Sequence, residues 1–216
     1  MLELLGSGMP VTGLAATQEF LDEHRALVSA TSAEILVATE AQLVQAGTFA
    51  SNKAALAWAP IPEAPSALPS QSWVLALDDV RDPGNLGTLL RIADWYGLKE
   101  VVCSPTTAEL WNPKVLHASM GSFTRVRVWY LPLETYLPQA NRPVFGALLD
   151  GENVHTQEFT AEGILLMGNE AQGIAPDLMP HITHQVSIPR FGGAESLNVA
   201  AATAVLCDNL RRHQPH

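Results

Sequence analysis

Apolar and polar positions fall into two regimes along this chain. From about residue 73 onward, short apolar runs alternate with stretches of helical periodicity. The runs at 74–77, 101–103, 126–129, 144–149, 164–167 and 186–188 predict strands. Residues 85–96 predict a helix, with Leu86, Leu89, Leu90 and Ala93 at helical spacing. Asn112-Pro113 marks a further helix start, asparagine as cap and proline in the first helical position. A short helix is expected around 133–137, and an alanine-rich helix closes the chain over 196–212. Apolar strands alternating with helices imply an α/β fold, a mostly parallel sheet with helices on both faces. In such sheets ligands bind at the carboxyl ends of the strands.

Before residue 70 the pattern is thinner. Residues 17–30 read as helix, with Phe20, Leu27 and Val28 on one face, and 35–38 as a short strand. Thr39 followed by Gln42 is a capping-box pattern opening a helix through Val44, which Gly47 stops. Residues 54–58 form a second short strand. Two strands and two helices make a small, partial α/β domain. It is acidic: Glu3, Glu19, Asp22, Glu23, Glu34, Glu40 and Glu63 are set against Arg25 and Lys53. Pro60, Pro62, Pro65 and Pro69, with serines among them, block helix and central strand and mark a linker. The expected division is therefore 1–69, including the linker, and 70–216.

Composition narrows the function. A chain of 216 residues with 47% apolar content can fill a core, yet no run is long and apolar enough to span a bilayer. The first ten residues lack a basic region followed by an apolar stretch, so no secretion signal is read. Cys103 and Cys207 are far apart and read as reduced core thiols of a cytoplasmic protein. The formal charge of −10 argues against general nucleic-acid binding. It leaves room for RNA gripped by a few local arginines.

Three predicted strand ends lead into loops rich in glycine and polar groups. After 74–77 comes Asp78-Asp79-Val80-Arg81-Asp82-Pro83-Gly84-Asn85-Leu86-Gly87, and Arg91 follows inside an otherwise apolar helix. Asp82 should cap, Pro83 preset the turn, and Gly87 admit a close backbone or ligand. After 164–167 comes Gly168-Asn169-Glu170-Ala171-Gln172-Gly173, an amide and a carboxylate at the sheet's carboxyl edge. The third runs Ile188-Pro189-Arg190-Phe191-Gly192-Gly193-Ala194-Glu195-Ser196-Leu197-Asn198-Val199, where strand becomes helix and backbone N–H groups stand free. Ser196 is the expected cap, and Asn198 is out of place in an apolar helix unless its amide finds a partner. Other chemistries fail. There is no Walker-type loop, no Gly-x-Ser-x-Gly elbow and no zinc-spaced histidine pair, and His213 and His216 fall in a frayed tail. No metal is expected.

These three segments, in this order, resemble the motifs of the SpoU (TrmH-type) RNA ribose 2′-O-methyltransferases of the SPOUT superfamily. Asp82 through Gly87 with Arg91 and Ala93-Asp94 looks like the first motif, Met167 through Gly173 the second, and Ile188 through Val199 the third. The likeness runs from Trp73 to the C-terminus. Residues 1–69 are more loosely similar to the tail of the family's ribosomal-protein-like RNA-binding domain, shortened at its front.

The resemblance implies a C-terminal trefoil knot, an exception to the rule that chains do not thread loops. It implies S-adenosyl-L-methionine as cofactor, with Leu148, Gly168, Ile188 and Leu197 at the matching binding positions, and a homodimer. The implied reaction is attack of a ribose 2′-hydroxyl on the cofactor's methyl group. Arg91, Asn85, Glu170, Ser196 and Asn198 match the family's catalytic set. A guanidinium stays protonated, so Arg91 is expected to stabilise charge developing on the 2′-oxygen, with the other four orienting Arg91, the knot loops and the ribose. Leu197, Val199, Val205 and Leu206 are the candidate self-complementary face. Ribosomal RNA is the expected substrate, with tRNA second. The competing reading is a non-catalytic RNA-binding or assembly factor that retains the fold.

Overall fold

In the computed structural model, which describes residues 1–48, 50–70 and 72–212, the chain divides into two units. These are Met1–Glu63 and Ala64–His216.

The first unit is a three-stranded sheet in the order β2-β1-β3. Its strands are β1 (Gly13–Ala16), β2 (Glu34–Val37) and β3 (Ala55–Trp58), accompanied by α1 (Leu2–Gly6), α2 (Gln18–Glu23), α3 (Arg25–Ser29) and α4 (Glu40–Ala46). Strand β1 pairs parallel to β2 and antiparallel to β3. The expected capping box forms, with Thr39 N donating to Gln42 Oε1 at 2.9 Å and Gln42 N to Thr39 Oγ1 at 3.3 Å. The single helix expected over 17–30 is instead two. His24 leaves the helical region at φ −112°, ψ 28°, and its ring packs edge-on against Phe20 at 4.7 Å. Strand β1 and helix α1 escape sequence reading because four residues without β-branching and five at the start carry too little periodicity.

The second unit is a six-stranded, all-parallel sheet in the order β6-β5-β4-β8-β7-β9. Its elements are β4 (Trp73–Leu77), α5 (Pro83–Trp95), β5 (Glu100–Cys103), α6 (Pro113–Ala118), β6 (Arg127–Tyr130), α7 (Leu133–Gln139), β7 (Val144–Asn153), β8 (Gly163–Met167), β9 (His184–Ser187) and α8 (Val199–Arg212). Side-chain alternation along the strands divides the core in two. Leu75, Leu77, Val101, Cys103, Leu165 and Met167 point into one layer with residues of α5 and α8. Val74, Ala76, Val102, Ile164 and Leu166 point into the other, with α7 and the 3₁₀ turn Pro176–His181. Both faces being covered, the central strands β4 and β8 are apolar and buried throughout, which is why their runs were continuous rather than alternating.

Among the boundaries that differ from the sequence reading, three bear on the site. Strand β7 extends to Asn153 because a bulge lets Ala147 and Glu152 both pair with Val186. Strand β9 stops at Ser187, leaving Ile188 outside. Helix α8 starts at Val199 rather than at Ser196. The segment preceding β4 is tied to the sheet: Trp129 Nε1 donates to Ala67 O at 2.9 Å, and Ser70 N to Glu100 Oε2 at 2.8 Å. Glu100 is buried and takes its counter-charge from Arg127 Nη2 at 2.6 Å. Both cysteines are buried and free, and burial pushes the Cys207 thiol up to about 12. Among the described residues no helix is long and apolar enough to cross a membrane.

The chain builds β4, β5 and β6 outward in one direction and then crosses to the other side, so the order reverses between β4 and β8. This reversal opens a crevice at the carboxyl ends of the strands. Helix α8 returns from the β9 edge to pack on α5, which carries the first polar loop at its amino end. Gly87 makes the neighbouring α5–α6 packing possible, since a Cβ there would lie 2.5 Å from Val115 O and 2.6 Å from the Ala118 methyl. Gly87→Ala should therefore destabilise the protein by about 1–3 kcal/mol despite alanine's better helix propensity. Urea unfolding that found the variant as stable as the parent would mean that the helices are not held this close.

Candidate active site

The three polar loops meet at the crevice through one chain of side-chain hydrogen bonds. Asp82 caps α5 by accepting Asn85 N at 2.8 Å, with Pro83 in the first turn as expected. Asn85 Nδ2 then donates to Glu170 Oε1 at 2.7 Å, and Asn198 Nδ2 donates to Asn85 Oδ1 at 3.0 Å. A carboxylate can only accept, so Glu170 dictates which end of the Asn85 amide faces it. The Asn85 oxygen is thereby left for Asn198, and the Asn198 oxygen for the helix behind it. Asn198 Oδ1 accepts Ala200 N at 2.9 Å, which makes Asn198 the cap of α8. Asn198 thus has the partner its position demanded. The expectation that Ser196 caps this helix is corrected: Ser196 lies in the exposed loop ahead of it, and its hydroxyl makes no hydrogen bond among the described residues.

A second clasp was not singled out from sequence. Asn169 Nδ2 donates to Asp79 O at 2.7 Å, while its Oδ1 accepts Ala171 N at 2.8 Å. Asn169 and Gly173 exchange two backbone hydrogen bonds of 2.9 Å each, closing the loop after β8 on itself. This closure explains Gly168, where a Cβ would collide with the Gly173 and Ile174 backbone. Asp79 holds φ at 55°, and the Arg81 guanidinium, donating from Nε at 2.8 Å, keeps its carboxyl below the usual carboxylate range. Burial pushes the neighbouring Asp78 carboxyl up, although it accepts Ala175 N at 2.8 Å. The available sequence signal was a pair of aspartates at the end of an apolar strand facing a Gly-Asn-Glu turn.

The loops after β8 and β9, together with the end of β7, line a cavity of about 980 Å³. Leu148, Gly168, Ile188 and Leu197 all line it, as do Glu170 and Ser196. Asn85 and Asn198 stand behind Glu170 rather than on the wall. Arg91 is exposed about two turns along α5, with no hydrogen-bond or ion-pair partner among the described residues. Of the five residues of the catalytic set, the structure joins Asn85, Glu170 and Asn198 and leaves Arg91 and Ser196 unattached. Asp94, at the end of the first motif, is held by Arg125 Nη2 at 2.8 Å and by the Ser122 hydroxyl at 2.8 Å. The proposed self-complementary face needs correction as well. Val199 and Leu206 are 5% and 1% exposed and belong to the core against α5, so only Leu197, and in part Val205, remain outside. His213 and His216 lie outside the described residues. Among the described residues no cluster of His, Cys, Asp or Glu could hold a metal ion.

Fold and site together define a parallel-sheet α/β domain whose cavity is lined by the ends of β7, β8 and β9 and the loops that follow β8 and β9. A profile of the SpoU rRNA Methylase family matches residues 72–208, and the chain belongs to that family. It is 37% identical over 142 residues to the 23S rRNA (guanosine(2553)-2′-O)-methyltransferase RlmP of Bacillus subtilis, a match covering 64% of this chain and 57% of that one. The chain spans just over half the length of the curated relatives it matches. Among solved structures, one of the TrmH family of RNA methyltransferases from Porphyromonas gingivalis superposes with a TM-score of 0.84 at 33% identity, over 98% of this chain and 86% of that one. An AdoMet-bound rRNA methyltransferase from Sinorhizobium meliloti gives 0.84 at 25% identity, over 100% and 85%.

Because Asn198 caps α8, Asn198→Ala should cost about 1 kcal/mol in urea unfolding, and Asn198→Asp should recover only part of it, since it still caps but sets a carboxylate oxygen against Asn85 Oδ1. An alanine variant as stable as the parent would remove the cap.

Proposed function

We propose that this protein is an RNA methyltransferase that transfers the methyl group of S-adenosyl-L-methionine to a ribose 2′-hydroxyl, in ribosomal RNA with tRNA as the second choice. The observation that carries the reading is the Glu170–Asn85–Asn198 chain, which ties together three loops distant in sequence, two of which line one cavity. Relatives named as 23S rRNA 2′-O-methyltransferases support it.

The cavity suits the cofactor on its own terms. Leu148, Ile188 and Leu197 offer apolar surface, and Gly168 and Gly173 bring bare backbone to the wall. Asp150, Glu170 and Glu195 outnumber Arg190 along the lining, which favours a cationic ligand. The cofactor supplies the activated methyl group, so the protein has to position the hydroxyl and exclude water. Arg91, unpaired and exposed, is free to meet RNA and to stabilise negative charge on the 2′-oxygen, while an RNA phosphate accepts the proton. Glu170, Asn85 and Asn198 hold the loops, and Ser196 stands at the cavity wall for the ribose. Threading of the C-terminal segment into a trefoil knot, a cytoplasmic location and a homodimer belong to the same proposal. The return of α8 from the β9 edge onto α5 supports the knot, and the bare Leu197 supports the dimer.

Arg91→Ala should lower methyl transfer to RNA by about a hundredfold or more while leaving cofactor affinity unchanged. Unchanged turnover would remove Arg91 from the mechanism. A parent protein that binds RNA but not the cofactor in calorimetry would favour the non-catalytic assembly factor instead. Sedimentation at micromolar concentration should find a dimer, and monomer alone would end that part of the proposal.

A further inference from the structure

Among the exposed large apolar side chains, Phe191 is the barest, at 96% of its full exposure. It stands beside Arg190 on the loop between β9 and α8, and both residues line the mouth of the cavity. The loop is anchored at its two ends. Ile188 packs against the main core, and Asn198 is bonded to Asn85. Between these anchors, Arg190 Nη1 reaches back to Ala194 O at 3.3 Å. A Cβ built at Gly192 or Gly193 would meet nothing within 4 Å. The tip is thus fixed at its base and packed against nothing, so its phenyl ring adds no burial to the fold.

The deeper cavity is already apolar through Leu148, Ile188 and Leu197, and needs no further ring to receive the methyl donor. The tip's charge also sets it apart. The chain has 12 Lys and Arg against 22 Asp and Glu, and Arg190 is the single Lys or Arg among the lining residues. An exposed ring next to a guanidinium is the pair that holds single-stranded nucleic acid, the ring by stacking on a base and the guanidinium by meeting a phosphate.

We propose that the Arg190–Phe191 tip grips the acceptor nucleotide: Phe191 stacks on its splayed-out base and Arg190 takes the adjoining phosphate. This rests on the ribose-methylation reading and adds the residues that hold the acceptor. Every base offers a stacking face, so the tip sets affinity rather than base identity.

The test uses the full chain, a short fluorescein-labelled single-stranded RNA of mixed sequence, and calorimetric titration of S-adenosyl-L-methionine in parallel. Phe191→Ala should weaken RNA binding about tenfold or more, and Phe191→Tyr should stay within about twofold of the parent. Cofactor affinity and the thermal midpoint should not move in either variant. Arg190→Gln should lower the slope of log affinity against log salt by about one. The grip is overturned if Phe191→Ala binds RNA as the parent does, if it loses cofactor affinity as much as RNA affinity, or if it unfolds. A parent that binds both ligands yet transfers no methyl group would sink the ribose-methylation reading alone. The binding comparison would still decide the grip.

Discussion

The site depends on the fact that an ionised carboxylate accepts hydrogen bonds and cannot donate them. Glu170 therefore sets the Asn85 amide, Asn85 sets the Asn198 amide, and Asn198 is left with its oxygen free to cap α8. One polarity runs from a loop after β8, through the entrance of α5, into the start of α8. Each of these exposed bonds contributes modestly, about 0.5–1.5 kcal/mol, with the one to Glu170 at the upper end or above. Their importance is directional. Reversing any one amide would place oxygen against oxygen and release a loop from the cavity wall.

That relay works only because the sheet beneath it is rigid. Strands β4 and β8 are central and apolar on both faces, so the loops after them leave from fixed points. The Asn169 clasp then closes the β8 loop across Asp79, and Gly168 admits the returning backbone. The polar groups of Asp79, Asn85 and Asn169 at this edge are satisfied by one another, by Glu170 and by backbone. The loop ahead of α8 is the exception. From 190 to 198 it is exposed throughout, and it is the part of the site with room to adapt to a large partner.

Much of this was legible in the sequence. Burial on both faces makes strands read as unbroken apolar runs, and the central strands β4 and β8 appeared that way, whereas β6 and β9 at the two edges carry polar residues. The caps at Asp82, Asn112 and Thr39 were legible because a capping side chain bonds within three residues of itself. The misses have the opposite cause. The break at His24 comes from a ring contact with Phe20, and the long β7 comes from a bulge decided by pairing with β9. Val199 and Leu206 looked like an outer stripe because periodicity shows that a helix has an apolar face, and only packing shows that α5 already covers it.

Ser196 and Asn198 mark the line between the two kinds of knowledge. Local sequence determined that a strand, a polar loop and a helix follow one another there, and that one of these side chains would cap. It also determined the residue types gathered at the carboxyl edge of the sheet. Which side chain caps was decided by Asn85 and Glu170, of which Asn85 lies 113 positions away from Asn198. Propensity is a property of neighbours in sequence, whereas the direction of an amide is set by whatever donor or acceptor the fold brings to face it.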